Sequence, residues 1–305
     1  MVIPLILGSL TRTFFPQFLD MGGFVTALFK NSALPLIALL IFATGANTPL
    51  RLLGIVGAKA GALLAAKTFI PGLLVILYGF AVGRAEILPG LGLLALISGT
   101  INSNGGLWIA LASKYGNQSD VGAYIASALN DGPFFAMLFL GLSGLAQIPV
   151  QYIVAAILPY LLGLVLGNLD PKIGEIFKPT SNITIPFFAF SLGAGIDIMT
   201  LGSAASGGLI IGMLSLSTGL LGYLFYRALF KRDTNPGVGA AIGTTAGNAA
   251  AVPTMIAEAD PTFKPFVASA SAAVGFAVLF TAIFAPILTH YLASYHNKKN
   301  ARSNK

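Results

Sequence analysis

Residues 93–108 read Leu93-Leu94-Ala95-Leu96-Ile97-Ser98-Gly99-Thr100-Ile101-Asn102-Ser103-Asn104-Gly105-Gly106-Leu107-Trp108, and residues 243–248 read Gly243-Thr244-Thr245-Ala246-Gly247-Asn248. Each stretch sits at the centre of a run otherwise apolar enough to cross a bilayer. Glycine and amide residues in mid-membrane are what an interrupted helix needs, because the freed backbone groups and half-helix dipoles can then meet an ion or an anionic solute. One such stretch reads equally well as small polar residues cementing helix packing. Two of them, in matching positions, favour a binding role for Thr100, Asn102, Asn104, Thr244, Thr245 and Asn248.

The surrounding sequence has the character of a membrane protein. Of 305 residues 56% are hydrophobic and 9% charged, against roughly a quarter charged in an ordinary soluble domain. The net charge of +7 comes from short Lys/Arg clusters between apolar runs, a topology signal that excludes a nucleic-acid-binding face. With no cysteine, neither disulfides nor thiolate metal sites arise. Met1-Val2-Ile3-Pro4 lacks the basic start of a signal peptide, so the first apolar segment is expected to be retained. Apolar runs lie near 2–18, 32–50, 54–82, 91–113, 121–146, 148–167, 181–199, 204–229, 237–257 and 265–292. They are continuously apolar rather than alternating, which predicts helices and not barrel strands. The first is short: Arg12 follows only eleven uncharged residues, which implies either an upstream start or a short helix.

The two halves repeat one another. Pro4, Gly8 and Pro16 match Pro159, Gly163 and Pro171 at an offset of 155, and Phe29-Lys30, Gly45 and Gly54 match Phe177-Lys178, Gly193 and Gly202 at 148. Gly99-Thr100 and Asn104 match Gly243-Thr244 and Asn248 at 144, and residues 124–128 match 266–270 at 142. Such duplicated units are a signature of transporters. Five spans per unit require the second copy to enter from the opposite side. The fold expected is therefore all-α and integral to the membrane, with about ten transmembrane helices in two inverted five-helix repeats, 1–147 and 148–295, whose broken fourth and ninth helices cross at mid-membrane. A basic cytoplasmic tail, 296–305, follows. Twelve cationic residues, among them Arg51, Lys59, Lys114, Lys231 and Arg232, flank one side, and Arg12, Lys30, Arg84 and Lys264 the other. The positive-inside rule then makes both termini cytoplasmic.

Charges inside spans are costly and so point to function. Lys67 lies eight residues beyond Lys59, roughly 12 Å deeper along a helix, whereas Lys59 is placed to snorkel to the interface. Asp131, in Asn130-Asp131-Gly132-Pro133, reads locally as a turn, yet its repeat counterpart Ser271-Ala272-Ala273-Val274-Gly275 is mid-span, which places Asp131 inside the membrane. Burial favours the neutral carboxyl and a nearby ammonium the charged one, so Asp131 is the expected coupling group and Lys67 its partner or the anchor of a solute carboxylate. Asp197 is a rim carboxylate or a site residue, Glu258 and Asp260 belong to a wet loop, and Trp108, near Lys114, suits an interfacial belt better than a sugar-stacking face. His290 and His296 are too peripheral for a metal site. No HExxH motif, no convergent His and Cys residues and no P-loop are present, which argues against hydrolase chemistry and nucleotide use. A continuous channel fits paired broken helices less well than alternating access.

The segments Ile3-Pro4-Leu5, Asn104-Gly105-Gly106-Leu107, Tyr115-Gly116, Gly132-Pro133, Gly167-Asn168-Leu169-Asp170-Pro171, Ile185-Pro186-Phe187-Phe188-Ala189-Phe190-Ser191-Leu192-Gly193, Ile196-Asp197 and Ile256-Ala257-Glu258 make the chain resemble, over nearly its whole length, the 2-keto-3-deoxygluconate permease family. The resemblance implies proton symport of a small sugar acid across the bacterial inner membrane and a fold distantly like that of the bile-acid sodium symporters. It also marks two departures, Asn102 where the family carries an acidic residue and Asn130-Asp131 in place of a Glu-Ser pair. The expectation is a cofactor-free secondary transporter importing such a solute. Its substrate residues are those of the two interrupted stretches together with Lys67, and its ion-coupling residues are Asp131, Asn130 and Asp197. A sodium-coupled symporter of another organic anion is the alternative.

Overall fold

A computed structural model describes residues 2–50, 54–195 and 198–303. Asp197 and Arg51 lie outside the described residues. The first half contains α1 (Val2–Phe14), α2 (Pro16–Leu19), α3 (Gly23–Phe29), α4 (Ala33–Ala46), α5 (Ile55–Leu64), a π-helical turn (Ala65–Phe69), α6 (Ile70–Val82), α7 (Leu93–Thr100), α8 (Gly105–Tyr115), α9 (Gln118–Gly122), α10 (Ile125–Asn130) and α11 (Phe134–Ser143). Then come α12 (Val150–Leu169), α13 (Pro171–Phe177), α14 (Thr180–Gly193), α15 (Ile198–Ser203), α16 (Ala205–Leu229), 3-10 segments Pro236–Ile242 and Gly247–Ala251, α17 (Val252–Ala259), a 3-10 turn Pro261–Phe266 and α18 (Val267–Ser303). Among the described residues there is no β-strand, only one isolated bridge between Leu88 and Leu91.

Four stretches, Ile55–Val82, Val150–Leu169, Ala205–Leu229 and Pro261–Asn297, are each long and apolar enough to cross a bilayer. Two bent pairs, Gly23–Phe29 with Ala33–Ala46 and Gln118–Asn130 with Phe134–Ser143, raise the number to six, with bends of 56° and 54°. Length and composition thus yield fewer than the ten spans expected, because the remaining runs fold as short or interrupted helices. The 237–257 run is the clearest case. It was expected as a broken α-helix, and its first half is instead 3-10. The reason is crowding. A Cβ on Gly222 would stand 2.3 Å from the Gly239 carbonyl oxygen, and one on Gly237 would stand 2.3 Å from the Ala293 nitrogen, so this segment is wedged between α16 and α18 at backbone contact.

The helices sort into two groups. α1, α4, α12 and α14 pack on one another, while α16, α18, α5–α8 and the 3-10 segments form the other group. The groups meet where α4 and α14 touch Gly247–Ala251 and α4 touches α10. Within the first group backbone-close contacts recur, and two of them correspond to each other. A Cβ on Gly8 would lie 2.1 Å from the Phe190 oxygen and 2.8 Å from the Ala194 nitrogen, and one on Gly163 would lie 2.0 Å from the Phe42 oxygen and 2.9 Å from the Ala46 nitrogen. Only glycine permits such approach, and small residues at these crossings replace the missing hydrophobic drive between helices in lipid.

Candidate functional site

The helical ladder is broken at Ile101–Asn104, between α7 and α8, and again at Gly243–Ala246, between the two 3-10 segments. The two breaks lie against each other. The Asn104 backbone N–H donates to Thr244 Oγ1 at 2.9 Å, the Ala246 N–H to Asn102 Oδ1 at 3.0 Å, and Thr245 Oγ1 to the Gly99 carbonyl at 3.0 Å. Local chemistry holds each break open. Asn104 caps α8 by accepting from the Leu107 N–H, and the Thr245 N–H is taken by Thr281 of α18. The Asn102 amide returns to the Ser98 carbonyl and the Thr100 hydroxyl to the Leu96 carbonyl, so Thr100 is satisfied within its own helix. Unwound backbone is thereby paired inside the protein, the condition for tolerating it at membrane depth. The N-terminal end of α8 opens on to this crossing and brings its positive dipole end there.

Lys67 reaches the same place from the π-helical turn of residues 65–69. Such turns recur at functional positions in helices. The side chain is fully buried and its Nζ donates to Ser215 Oγ at 2.5 Å. Ser215 Oγ also hydrogen-bonds Thr245 Oγ1 at 2.9 Å, with Ser215 as the donor because the single Thr245 hydroxyl hydrogen goes to the Gly99 carbonyl, and this ties Lys67 to the second break through one hydroxyl. The neighbouring Thr68 donates to the Ile101 carbonyl and accepts from the Asn130 amide. Asn130 Oδ1 in turn accepts from the Ser103 backbone and hydroxyl, both at 3.1 Å. Asn130 is therefore committed to bracing the first break.

Asp131 sits at the C-cap of α10 just before Gly132, which turns the chain with φ of +97° and where a Cβ would stand 3.0 Å from Ile41 Cδ1. Asp131 is half-buried. Asn248 lies beside it within range of interaction, although neither amide atom of Asn248 makes a hydrogen bond of ordinary geometry. The Tyr124 ring is also close to Asp131, and its hydroxyl is within reach of Thr44 on α4. Tyr160 on α12, itself near Tyr124, is within reach of Thr48. Among the described residues Lys67 and Asp131 form no ion pair: the π turn aims Lys67 at Ser215, and Asp131 has Asn248 and Tyr124 beside it. A cavity of about 270 Å³ adjoins this place, lined by Ile41, Pro133, Met137, Tyr152, Met255 and Glu258 among others.

Farther out, three expectations need correction. Lys59 does not snorkel. It is fully buried between Asp120 and Asp233, at 2.6 Å from each, and donates to Ser119. Trp108 is not a belt residue but fully buried, with its indole N–H donating to the Asp120 carbonyl at 2.9 Å and its ring edge-on to Tyr226. Asp260 is not in a wet loop. It is 4% exposed, accepts from the Gln147 and Thr262 N–H groups and lies 3.6 Å from Arg84. Glu258 is exposed, but on helix α17 rather than in a loop. The hydrogen bond from Lys59 holds the Asp233 carboxyl below its ordinary range. Burial alone pushes the Asp260 carboxyl up, but bonds from Thr262 and the Gln147 backbone, with Arg84 nearby, leave it below that range. Asp120, Asp233, Ser215 and Tyr124 carry no local signal that the sequence reading could use. Apart from the local capping of Asp120 with Asn117, the side-chain partners named above come from other helices.

Apolar helices, two mutually facing breaks lined by buried hydroxyl and amide groups, and a buried ammonium beside them define a multi-pass membrane transport protein. Comparison with known proteins makes this particular. The chain belongs to the 2-keto-3-deoxygluconate permease family, which it matches over residues 1–298. It is 41% identical to 2-keto-3-deoxygluconate permease 1 of Salmonella typhimurium, over 99% of this chain and 93% of that one. It is 36% identical to the 2-keto-3-deoxygluconate permease of Xanthomonas axonopodis pv. citri, over 99% and 95% of the two chains, and 34% identical to that of Escherichia coli O7:K1, over 95% and 89%. Among solved structures it is similar to a sodium proton antiporter from Methanocaldococcus jannaschii, with a TM-score of 0.60 over 97% of this chain and 91% of that one. At 16% identity that likeness is one of fold. Permeases are transporters, so the chain is a transport protein and not an enzyme.

Proposed function

We propose that this protein imports 2-keto-3-deoxygluconate or a close relative of that sugar acid across the bacterial inner membrane, coupled to protons. One observation carries the reading. Lys67 is a buried lysine whose amine forms no ion pair among the described residues and whose hydrogen bond goes to a single neutral hydroxyl. An isolated buried charge is expensive, and a solute carboxylate arriving at the crossing offsets that cost. Asn102, Asn104, Thr244, Thr245 and Asn248 then surround the solute, with Thr100 behind them. Asp131 takes up the coupling proton on one side of the membrane and releases it on the other. Asn130 keeps the first break in register for this exchange, and Asp197 stays a candidate on sequence grounds alone.

The finer architecture belongs to the same reading: ten spans in two inverted repeats, 1–147 and 148–295, with both termini and the 296–305 tail in the cytoplasm. Two kinds of contact support it. The Gly8 contact with Phe190 and Ala194 maps on to the Gly163 contact with Phe42 and Ala46 by the offsets of 155 and 148 seen between the sequence halves. Lys67 and Ser215, 148 residues apart, meet as a residue and its own counterpart would at a two-fold axis. The experiment is uptake of labelled 2-keto-3-deoxygluconate into proteoliposomes, with pH and sodium gradients imposed separately. Accumulation driven by the pH gradient and lost in Asp131→Asn is the expected result. Accumulation driven by sodium at symmetric pH would replace the proton with sodium, and no uptake of any sugar acid would end the reading.

A further inference from the structure

Around Asp131 the structure assembles polar groups that the crossing itself does not require. Asn248 is 3% exposed, and both its amide oxygen and its amide nitrogen lack hydrogen bonds. Burying such an amide without a bond of ordinary geometry costs free energy, and the Asp131 carboxyl beside it can answer at most Nδ2, so the amide keeps hydrogen-bonding capacity for a ligand. The amide shows the class of that ligand. An anion would satisfy only Nδ2 and a metal cation only Oδ1, whereas a hydroxyl both donates and accepts. Near Asp131 are more groups of the same amphoteric kind: the Tyr124 hydroxyl, within interaction range of Thr44, and beside it the Tyr160 hydroxyl, within range of Thr48. These come from α10, α4 and α12, so they straddle the seam between the two helix groups. The 270 Å³ cavity lined by Ile41, Pro133 and Met255 adjoins this seam, and Ile41 separates it from Gly132 and Asp131 by the thickness of one side chain.

From this arrangement we infer that Asn248, Tyr124 and Thr44, backed by Tyr160, form a hydroxyl-recognising subsite that holds the polyol tail of the solute. The inference rests on the proposed function and deepens it. Charge orients the solute. The carboxylate head is repelled by Asp131 and attracted by Lys67, so the head lies at the crossing and the hydroxyl-bearing end at the seam. Asn248 is three residues from Thr245, which touches the Lys67–Ser215 pair, and three residues span at most about 10 Å, a distance a six-carbon chain can bridge. Selectivity for hydroxylated over plain 2-oxo acids then resides in Tyr124, Thr44 and Asn248.

The test measures binding to the purified full chain by calorimetry with two probes, 2-keto-3-deoxygluconate and 2-oxobutanoate, which shares the 2-oxo carboxylate head and has no hydroxyls. Tyr124→Phe and Thr44→Val are expected to weaken sugar-acid binding about 5- to 20-fold each and to leave 2-oxobutanoate within about twofold, and Thr44→Ser to retain wild-type affinity, as for the loss of one hydrogen bond. Variants that keep full sugar-acid affinity, or that lose both probes equally, overturn the subsite. So does a wild-type protein that binds the two probes equally well. A wild-type protein that binds neither overturns the function beneath it, and the subsite with it.

Discussion

Replacing Lys67 with methionine separates a structural lysine from one kept for a ligand. The two side chains have similar length and volume, so the packing of the π-helical turn survives, and Ser215 keeps its bond with Thr245. A lysine that holds the fold through its ion pair would cost roughly 3–5 kcal/mol when removed. Lys67 has no such pair, and its one bond is to a hydroxyl 2.5 Å away. Its removal deletes a desolvated charge from the folded state, so Lys67→Met is expected to melt at or above the wild-type temperature in the same detergent. Binding moves the other way. The variant loses a charge-assisted bond to the solute carboxylate, about 1.5–3 kcal/mol, which at 1.4 kcal/mol per tenfold weakens binding about 10- to 150-fold. Raising stability while lowering affinity is the mark of a residue selected for function. Calorimetry with the sugar acid and thermal unfolding of the same preparations make the comparison. A variant that binds normally refutes the role of Lys67, and one that melts far lower shows that its charge is structural.

Other outcomes follow from the same geometry. Lys59→Met leaves Asp120 buried without its counter-ion and is expected to cost about 3–5 kcal/mol, read as a large fall in melting temperature, in contrast with Lys67→Met. Because Lys59 holds the Asp233 carboxyl below its ordinary range, the bridge stabilises the fold above about pH 4 and is lost as pH falls through the depressed value. Asp233→Asn should therefore flatten the acid side of the stability profile, and an unchanged profile would remove Asp233 from that account. Gly163→Ala places a Cβ 2.0 Å from the Phe42 carbonyl oxygen; the forced separation of α4 and α12 should cost about 1–3 kcal/mol, and a neutral result would mean that this crossing is loose. With no native cysteine, single cysteines at Arg84 and Lys231 can be labelled in intact cells by a membrane-impermeant reagent. Labelling at 84 and protection at 231 are expected, and the reverse would overturn the orientation.

What the sequence made legible, and what it did not, follows from the range of the interactions involved. Membrane class and the two breaks were readable because their signals are local: hydropathy over about twenty residues, and Gly-Thr-Asn clusters at the centres of two apolar runs. Lys67 and Asp131 were readable for the same reason, as charges in the wrong solvent. Partners were not. Lys59 reads as a snorkelling lysine because nothing near it in sequence is acidic, and its two carboxylates arrive from positions 120 and 233. Trp108 reads as a belt residue from its distance to Lys114, while burial is decided by Asp120 and Tyr226, which the fold brings to it. The expected pairing of Lys67 with Asp131 fails on the same account, since proximity in depth does not set the direction in which a side chain leaves its helix. Tyr124, Thr44 and Tyr160 are the extreme case. Each is unremarked in an apolar span, and only their convergence beside the unpaired Asn248 makes them a site. On the proposed reading the two breaks mark where a solute binds, while its recognition falls to residues from elements that have no motif to announce them.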